Sequence, residues 1–493
     1  MDAFFGIPKC EIEYFHISNT LCDGKDITVF DLLLYDHHPP CPHCQCINPS
    51  IHGYRTSRVN HSILAGRNAE IYFKRRRYLC PKCGKTFSED NPFVIRKGKI
   101  SLETVVNILD DLKKPEVTYT SVARRYKVSP STVVQIFDTH VDMQRLTLSE
   151  YICIDENYAF KDDRSSYICV LLDFKSQEAI DILPNRYKSD LIRYFKSIPM
   201  KEREGVKAVS MDMYPIYRDV VRECFSPKTL CVIDRFHLIK EFTTQVDRVR
   251  ISAQRKAQRE RSQYQDKVKE LKDRPDFQSQ AVQEEYRKIS AKLNDASDRY
   301  YLLKKFASWM IYKQFDDPVF EINALRKYNS HFQRHLNMYE IRGMLFKVEP
   351  LLEEASQFRG LLTELYTYTS PSEGSEFFDS LLSLFKESKA APIRHFGGTM
   401  RRWRTEILNS LIVVERFYEV QPDGDVNIRD RRLHNGVIER KNKQIKILKN
   451  VANGYTNFPR FRCRALYVLR NDPAYSLDPV YLTKAIPKEQ KND

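Results

Sequence analysis

Two Cys-x-x-Cys pairs impose the strongest local constraint on the fold of this 493-residue chain. Cys41 and Cys44 form the first pair, and Cys80 and Cys83 form the second. Each pair can direct two thiolates toward one ion, so together they satisfy the tetrahedral coordination of Zn²⁺. The spacing therefore predicts a zinc ribbon held by one structural Zn²⁺, with a chance pairing or a redox dithiol as the alternative.

The composition favours a folded protein with a polyanionic partner. Lys and Arg number 80 against 65 Asp and Glu, so the formal net charge is +15. Such an excess indicates binding to nucleic acid or to an anionic membrane. The membrane alternative is weak, because no apolar run approaches the ~18–20 residues that span a bilayer. The N-terminus carries an acid at Asp2 and lacks the basic start of a secretory signal, so we expect a soluble intracellular protein.

A run of four cations precedes the second cysteine pair, at Lys74, Arg75, Arg76 and Arg77. Charge runs are often only solvated surface. On a small metal-held module, however, contact with phosphates is the more economical interpretation. We therefore expect these residues to bind DNA.

The segment after the ribbon has the pattern of a helix-turn-helix domain. A helical stretch from Thr118 to Tyr126 is followed by a short turn and a second helical stretch that starts at Pro130. Ser129 is a suitable N-cap for this second helix, with Pro130 at its first position. Its exposed recognition positions would be Ser131, Thr132 and Gln135. An ordinary helical hairpin is the alternative.

The centre of the chain alternates strands and helices in a diagnostic order. From residue 151 to residue 233, three strands are followed by a helix, a strand, a helix and a fifth strand. This is the order of a ribonuclease-H-like domain, in which the first and fourth strands can be neighbours. The first strand runs into Asp155, the fourth meets Asp212 and the fifth ends at Asp234. We therefore expect Asp155 and Asp212 to face each other.

Two carboxylates at such short range repel each other unless cations lie between them. Hard oxygen ligands suit Mg²⁺ or Mn²⁺. Two such ions ~3.5–4 Å apart can activate an attacking oxygen and stabilise the leaving oxygen of a phosphodiester. The pair therefore predicts two-metal phosphodiester chemistry.

A third acid is expected from a basic helix near the C-terminus. On a helix, Glu439 shares one face with Asn442 or Lys443 and with Lys446 and Lys449, while isoleucine and leucine side chains take another side. One acid on a cationic stripe is well placed to bring a metal ligand beside a DNA backbone, which the lysines would contact. An exposed basic helix with an incidental Glu is the alternative.

Few strand signals occur between residues 240 and 428, so we expect an all-helical insertion there. The predicted fold class is a multidomain α/β protein with a ribonuclease-H-like core that this insertion interrupts. The expected order is an N-terminal segment (1–37), the zinc ribbon (38–98), the helix-turn-helix domain (99–145), the first part of the core (146–239), the insertion (240–428) and the last acidic helix with a basic C-terminal segment (429–493).

The combination resembles the DDE transposases of the ISL-three insertion-sequence family. The resemblance is carried by the CPHC…CPKCGKTF ribbon, the helix-turn-helix pattern and four short motifs. These motifs are Ile154-Asp155-Glu156, Ser210-Met-Asp212-Met-Tyr214, Val232-Ile-Asp234-Arg-Phe-His237 and Asn435-Gly-Val-Ile-Glu439. They occur in the expected order and cover nearly the whole chain.

The resemblance implies a metal-dependent transposase with Asp155, Asp212 and Glu439 as its catalytic triad. Such an enzyme binds the terminal inverted repeats of its element, cuts double-stranded DNA and joins the freed ends to target DNA. Asp234 and His237 resemble an accessory D/C-x-x-H motif. Asp234 also competes with Asp212 for the role of second acid, and His237 is equally well explained as a core histidine.

The need to pair two DNA ends implies a homodimer, and the family implies a cytoplasmic, nucleoid-associated bacterial protein. Two other functions remain open. One is a non-catalytic, domesticated DNA-binding regulator, which would need the ribbon and the helix-turn-helix but not the acids. The other is a nuclease on the same core, which would cut DNA without joining it.

Overall fold

The computed structural model of the chain describes residues 3–4, 7–22, 25–62, 68–95, 98–160, 165–306, 324–420, 426–471 and 475–477. Two stretches of the expected insertion, 307–323 and 421–425, and the C-terminal residues from 478 lie outside the described residues. None of the described helices is both long and apolar enough to cross a membrane.

The N-terminal domain is built on one five-stranded sheet that includes residues from before the first cysteine pair. Strand β4 runs parallel to β6, and the sheet order is β3-β4-β6-β5, with β7 paired to β6. The expected boundary at residue 37 therefore does not separate two units. The strands are β1 (Ala3–Phe4), β2 (Ile7–Pro8), β3 (Ile12–Cys22), β4 (Lys25–Leu34), β5 (Ser50–Ser62), β6 (Asn68–Leu79) and β7 (Thr86–Ser88).

Three helices follow at the positions that the sequence indicates: α1 (Leu102–Leu112), α2 (Tyr119–Tyr126) and α3 (Pro130–His140). The hydroxyl of Ser129 accepts a hydrogen bond from the amide of Thr132, and Pro130 occupies the first turn of α3, as expected. Lys127 ends α2 in the left-handed conformation, with φ 50°. The short turn between α2 and α3 is therefore fixed by local capping.

The central sheet has the strand order β10-β9-β8-β11-β12. Strand β8 is antiparallel to β9 and parallel to β11, which is parallel to β12. The first and fourth strands of this region are thus neighbours, as expected. The elements are β8 (Tyr151–Tyr158), β9 (Tyr167–Asp173), β10 (Ala179–Leu183), α4 (Lys188–Ser197), α5 (Met200–Glu204), β11 (Ala208–Met211), α6 (Pro215–Cys224) and β12 (Leu230–Ile233).

Both faces of this sheet are buried. Successive side chains point to opposite sides of a strand, so each strand contributes to two cores. Cys169 and Leu171 of β9 face a core shared with α4, α6 and the helical region that follows. Ile168, Val170 and Leu172 face a second core that includes residues of α1–α3 and of the two C-terminal helices. The three helices and the sheet therefore share one hydrophobic core, so the predicted boundary at residue 145 is not a gap in packing.

The region expected to be an all-helical insertion also contains strands, so that expectation is wrong. Two antiparallel hairpins interrupt the helices, and the expected boundaries at 240 and 428 fall inside a helix and a strand. The elements are α7 (Arg235–Lys272), α8 (Gln280–Lys305), β13 (Lys327–Asn329), β14 (Arg334–Leu336), α9 (Met338–Val348), α10 (Pro350–Glu364), α11 (Pro371–Glu387), α12 (Ala391–Arg402), α13 (Arg404–Asn409), β15 (Val413–Val420), β16 (Val426–Arg432), α14 (Gly436–Val451) and α15 (Phe458–Leu469).

Candidate active site

The register of the central sheet brings two acids side by side. Ser210 of β11 is paired with Cys153 of the parallel strand β8. Asp155 and Asp212 each lie two residues further along, so they reach the same edge of the sheet and the same face. Strand β8 continues to Tyr158, which places Asp155 within the strand and not at its end as predicted.

Asp155, Asp212 and His237 form a compact group of potential metal ligands. Each residue offers a ligand atom, and these atoms all lie within 4.8 Å of one another. His237 lies in the first turn of α7, directly after β12, and its Nε2 is 2.9 Å from Asp212 Oδ1. The structure thus gives His237 a place in the site, which a core histidine would not have.

Asp155 is almost completely buried, with 6% of its surface exposed. Its Oδ1 accepts a hydrogen bond from the amide of Glu156 at 2.8 Å, and its Oδ2 accepts one from Asn442 Nδ2 at 2.7 Å. Burial, reinforced by the negative charge of Asp212, raises the pKa of Asp155 to about 7. A cation in the site would oppose both effects.

Asp234 is buried behind this group, and its geometry favours Asp212 as the partner of Asp155. Asp234 Oδ1 accepts a hydrogen bond from the amide of Asn435 at 3.1 Å, and burial raises the pKa of this carboxyl. Its Oδ2 is 3.9 Å from His237 Nε2. Burial works against the charged form of His237, yet the carboxylates of Asp212 and Asp234 outweigh it and raise the pKa of the imidazole.

Helix α14 packs against β8 and places Glu439 next to the acidic group but not within it. Asn442 on this helix donates to Asp155, and Asn157 Nδ2 of β8 donates to the carbonyl of Asn442 at 2.9 Å. Glu439 precedes Asn442 by three residues and is half-buried. Residues at this spacing share one helix face, with Cβ atoms about 5–6 Å apart. Of the three predicted acids, the structure therefore brings Asp155 and Asp212 together and holds Glu439 one helical turn away.

The donor set fits a hard divalent cation. The buried oxygens around the acids that have no hydrogen-bond partner among the described residues include Asp234 Oδ2, Asn435 Oδ1 and Asn442 Oδ1. Buried oxygen atoms without donors are uncommon and need a compensating charge or ordered solvent. Carboxylate and amide oxygens are the ligands that Mg²⁺ and Mn²⁺ prefer.

The four predicted zinc ligands converge in the N-terminal domain. Cys41 Sγ is 3.7 Å from Cys83 Sγ, and Cys44 Sγ is 3.5 Å from Cys80 Sγ. A tetrahedral site with Zn–S bonds of ~2.3 Å separates its sulfurs by about 3.8 Å, so the spacing fits zinc. The amide of Cys83 is the main cause that lowers the pKa of the Cys80 thiol to about 6, whereas desolvation and the three neighbouring sulfurs raise the pKa of Cys44.

The two cysteine turns share one backbone design. The amide of Gln45 donates to the carbonyl of Cys41, and the amide of Gly84 donates to that of Cys80, at 2.8 and 2.9 Å. Both turn residues have positive φ, 58° for Gln45 and 69° for Gly84. Glycine adopts this conformation without strain, so only the second turn has the residue that suits it best.

The four cations of β6 differ in exposure and in their partners, and Arg76 does not fit the prediction that all four bind DNA. Arg76 is only 2% exposed and forms ion pairs with Glu13 and Glu89, so it cannot reach a DNA backbone. Arg75 is half-buried and donates to the carbonyl of Glu89. Lys74 and Arg77 are exposed. Of the four cations predicted to bind DNA, Lys74 and Arg77 are thus the ones whose exposure suits that prediction.

The other predicted DNA contacts lie at accessible positions. On α3, Ser131 and Gln135 are exposed and Thr132 is half-buried. On α14, Lys443 and Lys446 are exposed, while Lys449 Nζ lies 4.2 Å from the centre of the Tyr158 ring. A contact with DNA remains a prediction for each of these residues.

Sequence reasoning missed the role of the asparagines in the site. Asn442 donates to Asp155, and Asn435 contacts both Asp234 and the carbonyl of Ile154, at 3.1 and 3.2 Å. The available signal was their spacing, because Asn435, Glu439 and Asn442 follow one another at helical intervals of four and three. The pattern to search for would have been neutral asparagines on the same helix face as the predicted acid.

Comparisons with known proteins agree with this arrangement. A family model for the transposases of the ISL3 (ISL-three) group, described as "Transposase", matches residues 152–336 and 324–415, more than half of the 493 residues. These segments include Asp155, Asp212, Asp234 and His237 but not Glu439. A second model, described as "zinc-finger of transposase IS204/IS1001/IS1096/IS1165", matches residues 37–83.

A curated relative supports the same assignment. The transposase for insertion sequence element IS1001 from Bordetella parapertussis is 25% identical over 221 residues. The alignment covers 43% of this chain and 52% of the relative, so the chain spans about half the length of that protein. Taken with the family match across the central sheet, these findings show that the chain belongs to the ISL3 family of transposases.

Proposed function

We propose that this protein is a DDE-type DNA transposase that cuts and joins DNA at the ends of its own insertion sequence. The observation that carries the proposal is the convergence of Asp155 and Asp212 on adjacent parallel strands, with His237 beside them. The order β10-β9-β8-β11-β12 supports a ribonuclease-H-like core for this sheet. A regulator that only bound DNA would have no use for buried, mutually repelling carboxylates.

The proposed catalytic group is Asp155, Asp212 and Glu439. Asp155 is held by its hydrogen bonds to the amide of Glu156 and to Asn442, and Asp212 by its contact with His237. Two Mg²⁺ or Mn²⁺ ions, when bound by these acids, would activate the attacking oxygen and stabilise the leaving one. Asp234 and His237 serve as positioning residues, because Asp234 holds Asn435 and His237 holds Asp212.

The reaction has two phosphoryl-transfer steps. In the first, water attacks the phosphodiester at the element end, the P–O bond to the 3′-oxygen breaks, and a free 3′-hydroxyl results. In the second, this hydroxyl attacks a phosphodiester of target DNA, loses its proton and displaces another 3′-oxygen. Neither step needs a covalent bond between protein and DNA.

DNA binding is assigned to the N-terminal half of the chain. The zinc ribbon and helices α2 and α3 would bind the terminal inverted repeats through Lys74 and Arg77, and through Ser131, Thr132 and Gln135. Lys443, Lys446 and Lys449 on α14 would contact the backbone beside the cleaved bond. Because two ends must be paired, we propose a homodimer on DNA, acting at the nucleoid in the bacterial cytoplasm.

The test is incubation of the full-length protein with a labelled terminal-repeat duplex, Mg²⁺ and a target plasmid. Wild type should cut the end and join it to the plasmid, whereas Asp155→Ala, Asp212→Ala and Glu439→Ala should each bind the repeat and neither cut nor join. If wild type neither cuts nor joins, the result would favour the DNA-binding regulator. If it cuts without joining, the result would favour the nuclease. Normal cutting by Asp212→Ala with none by Asp234→Ala would move the second acid to Asp234.

A further inference from the structure

A cavity of about 890 Å³ is lined by residues that are close neighbours, along the chain, of residues in the candidate active site. Arg235, which lines the cavity, directly follows Asp234 in the chain. His434, which also lines it, directly precedes Asn435, whose amide binds Asp234. The cavity is therefore one residue away along the chain, on two separate segments, from the contact between Asp234 and Asn435.

The cavity carries positive charge that the protein itself does not balance. Four arginines line it, against the acids Glu419 and Asp430. Asp430 is paired with Arg416 at 2.6 Å, and Arg431 is paired with Glu415 at 2.8 Å. None of the ion pairs between described residues involves the other three lining arginines, which are Arg235, Arg429 and Arg432. Glu419 and the already paired Asp430 are thus the acids that line the cavity beside three guanidinium groups without an ion pair of their own.

These cations are held close together at an electrostatic cost. Burial lowers the pKa of Arg432, and the charge of Arg235 adds to this effect while that of Asp430 opposes it. Burial and the charge of Arg235 also lower the pKa of the neighbouring Arg359. Two nitrogens of Arg359, Nε and Nη1, are buried and have no hydrogen-bond partner among the described residues. An anion in the cavity would relieve this repulsion, as phosphate groups do when they bind arginine clusters.

The guanidinium groups are also fixed in place. Arg432 donates to the carbonyls of Tyr366 and Tyr368, and Arg235 lies 4.6 Å from the centre of the Tyr366 ring. Phe417, which lines the cavity and is about half exposed, presents aromatic surface next to these cations. Cations interleaved with aromatic rings are the features that bind the backbone and the bases of a single strand.

The size of the cavity selects between forms of DNA. Its volume lies in the ~300–1,000 Å³ range of sites that enclose small ligands, so a duplex cannot enter it. A short unpaired segment can, with phosphates on the arginines and a base on the exposed ring of Phe417. We propose that this arginine cavity binds a single-stranded DNA segment next to the phosphodiester that is cut. The proposal rests on the proposed transposase function, and it requires the DNA end to be locally unpaired beside the bond that is cut.

The test measures binding of single-stranded DNA by the full-length, zinc-loaded protein without Mg²⁺. The probe is a fluorescein-labelled oligothymidylate of about ten nucleotides, read by fluorescence anisotropy over a range of salt concentrations. The variant Arg235→Gln/Arg429→Gln removes two unpaired lining charges. The control Arg193→Gln/Arg401→Gln removes two exposed charges that do not line the cavity.

We expect the lining variant to bind the oligothymidylate about tenfold more weakly or worse. The slope of log K against log salt should fall by about 1.4, since each lost phosphate contact on a single strand removes about 0.7. The control should stay within about twofold of wild type, and binding of the terminal-repeat duplex should change little in either variant. An equal loss in the control, or an unchanged slope, would overturn the proposal.

Two further measurements separate the possible failures. Thymidine monophosphate should compete poorly at equal nucleotide concentration, and strong competition would mean a mononucleotide site instead of a strand site. If wild type binds the oligothymidylate through these arginines yet neither cuts nor joins terminal repeats, the cavity stands and the transposase function fails. If wild type cuts and joins while the lining variant binds the strand normally, only the cavity proposal fails.

Discussion

Without Mg²⁺, the Asp155→Asn variant should be more stable than wild type at alkaline pH. Addition of Mg²⁺ should stabilise wild type but not the variant. In wild type, burial and Asp212 raise the pKa of Asp155 to about 7 from an ordinary value of 3.8. The folded protein therefore holds this proton more tightly than the unfolded chain does. Its stability must fall as the pH rises from about 4 to about 7, and it loses nothing more to this group above that range.

The size of this loss follows from the two pKa values. At 1.36 kcal/mol for each pKa unit, the charged carboxylate costs the metal-free fold about 4 kcal/mol at pH 8, as an order of magnitude. An amide at position 155 has no such charge, but its NH₂ group must face one of two donors, Glu156 N or Asn442 Nδ2. Asn442 can resolve this by turning its amide, because its Oδ1 has no hydrogen-bond partner among the described residues.

The assay is urea unfolding of zinc-loaded protein at pH 5 and pH 8, with and without Mg²⁺. We expect Asp155→Asn to unfold at higher urea than wild type at pH 8 without Mg²⁺, by about 1–4 kcal/mol after the hydrogen-bond exchange. Mg²⁺ should stabilise wild type by mass action and leave the variant unchanged. A variant that is less stable than wild type at pH 8, with the same dependence on pH, would show that Asp155 is not a strained carboxylate.

Three other predictions test the fold and the zinc site. Gly397→Ala should destabilise the protein by about 1–2 kcal/mol, since a Cβ there would lie 2.7 Å from a phenylalanine. The Cβ of Gly398→Ala would meet nothing within 4 Å, so this variant should stabilise the protein by up to about 1 kcal/mol. Urea unfolding compares the two variants. Cys83→Ser should lose bound zinc in metal analysis by mass spectrometry, and Cys46→Ser, outside the cluster, should keep it. Arg76→Gln should lower the stability of the N-terminal sheet by about 1–3 kcal/mol in thermal unfolding, because the mostly buried Glu89 loses its cation while the more exposed Glu13 can be solvated.

Local patterns of the sequence were sufficient for features that depend on neighbouring residues. The Ser129 cap and the turn before α3 are determined within a few positions, and the structure has them as predicted. The strand order could be anticipated because the alternation of strands and helices leaves few topologies for a twisted sheet. The placement of Asp155 opposite Asp212 follows from that order alone.

Features that depend on distant pairing could not be read in the same way. The parallel pairing of β4 with β6 joins residues about forty positions apart, from Thr28–Ala69 to Leu32–Phe73, and no local signal announces it. Arg76 was misassigned for a related reason. It shares the inner face of β6 with Tyr78, and its carboxylate partners come from Glu13 and Glu89, far from it in the chain.

Repulsion between carboxylates explains why Glu439 lies outside the pair of Asp155 and Asp212 when no cation is between them. A third carboxylate beside the pair would raise the pKa of Asp155 further, because like charges disfavour ionisation. In its place, the neutral amide of Asn442 donates to Asp155, and Glu439 lies three residues earlier on the same helix face. Helix α14 thus presents a neutral donor and an acid at adjacent positions beside one buried carboxylate. Only a cation makes it favourable for the acid to join the pair, so the arrangement of α14 is itself an argument for the metal-dependent chemistry proposed above.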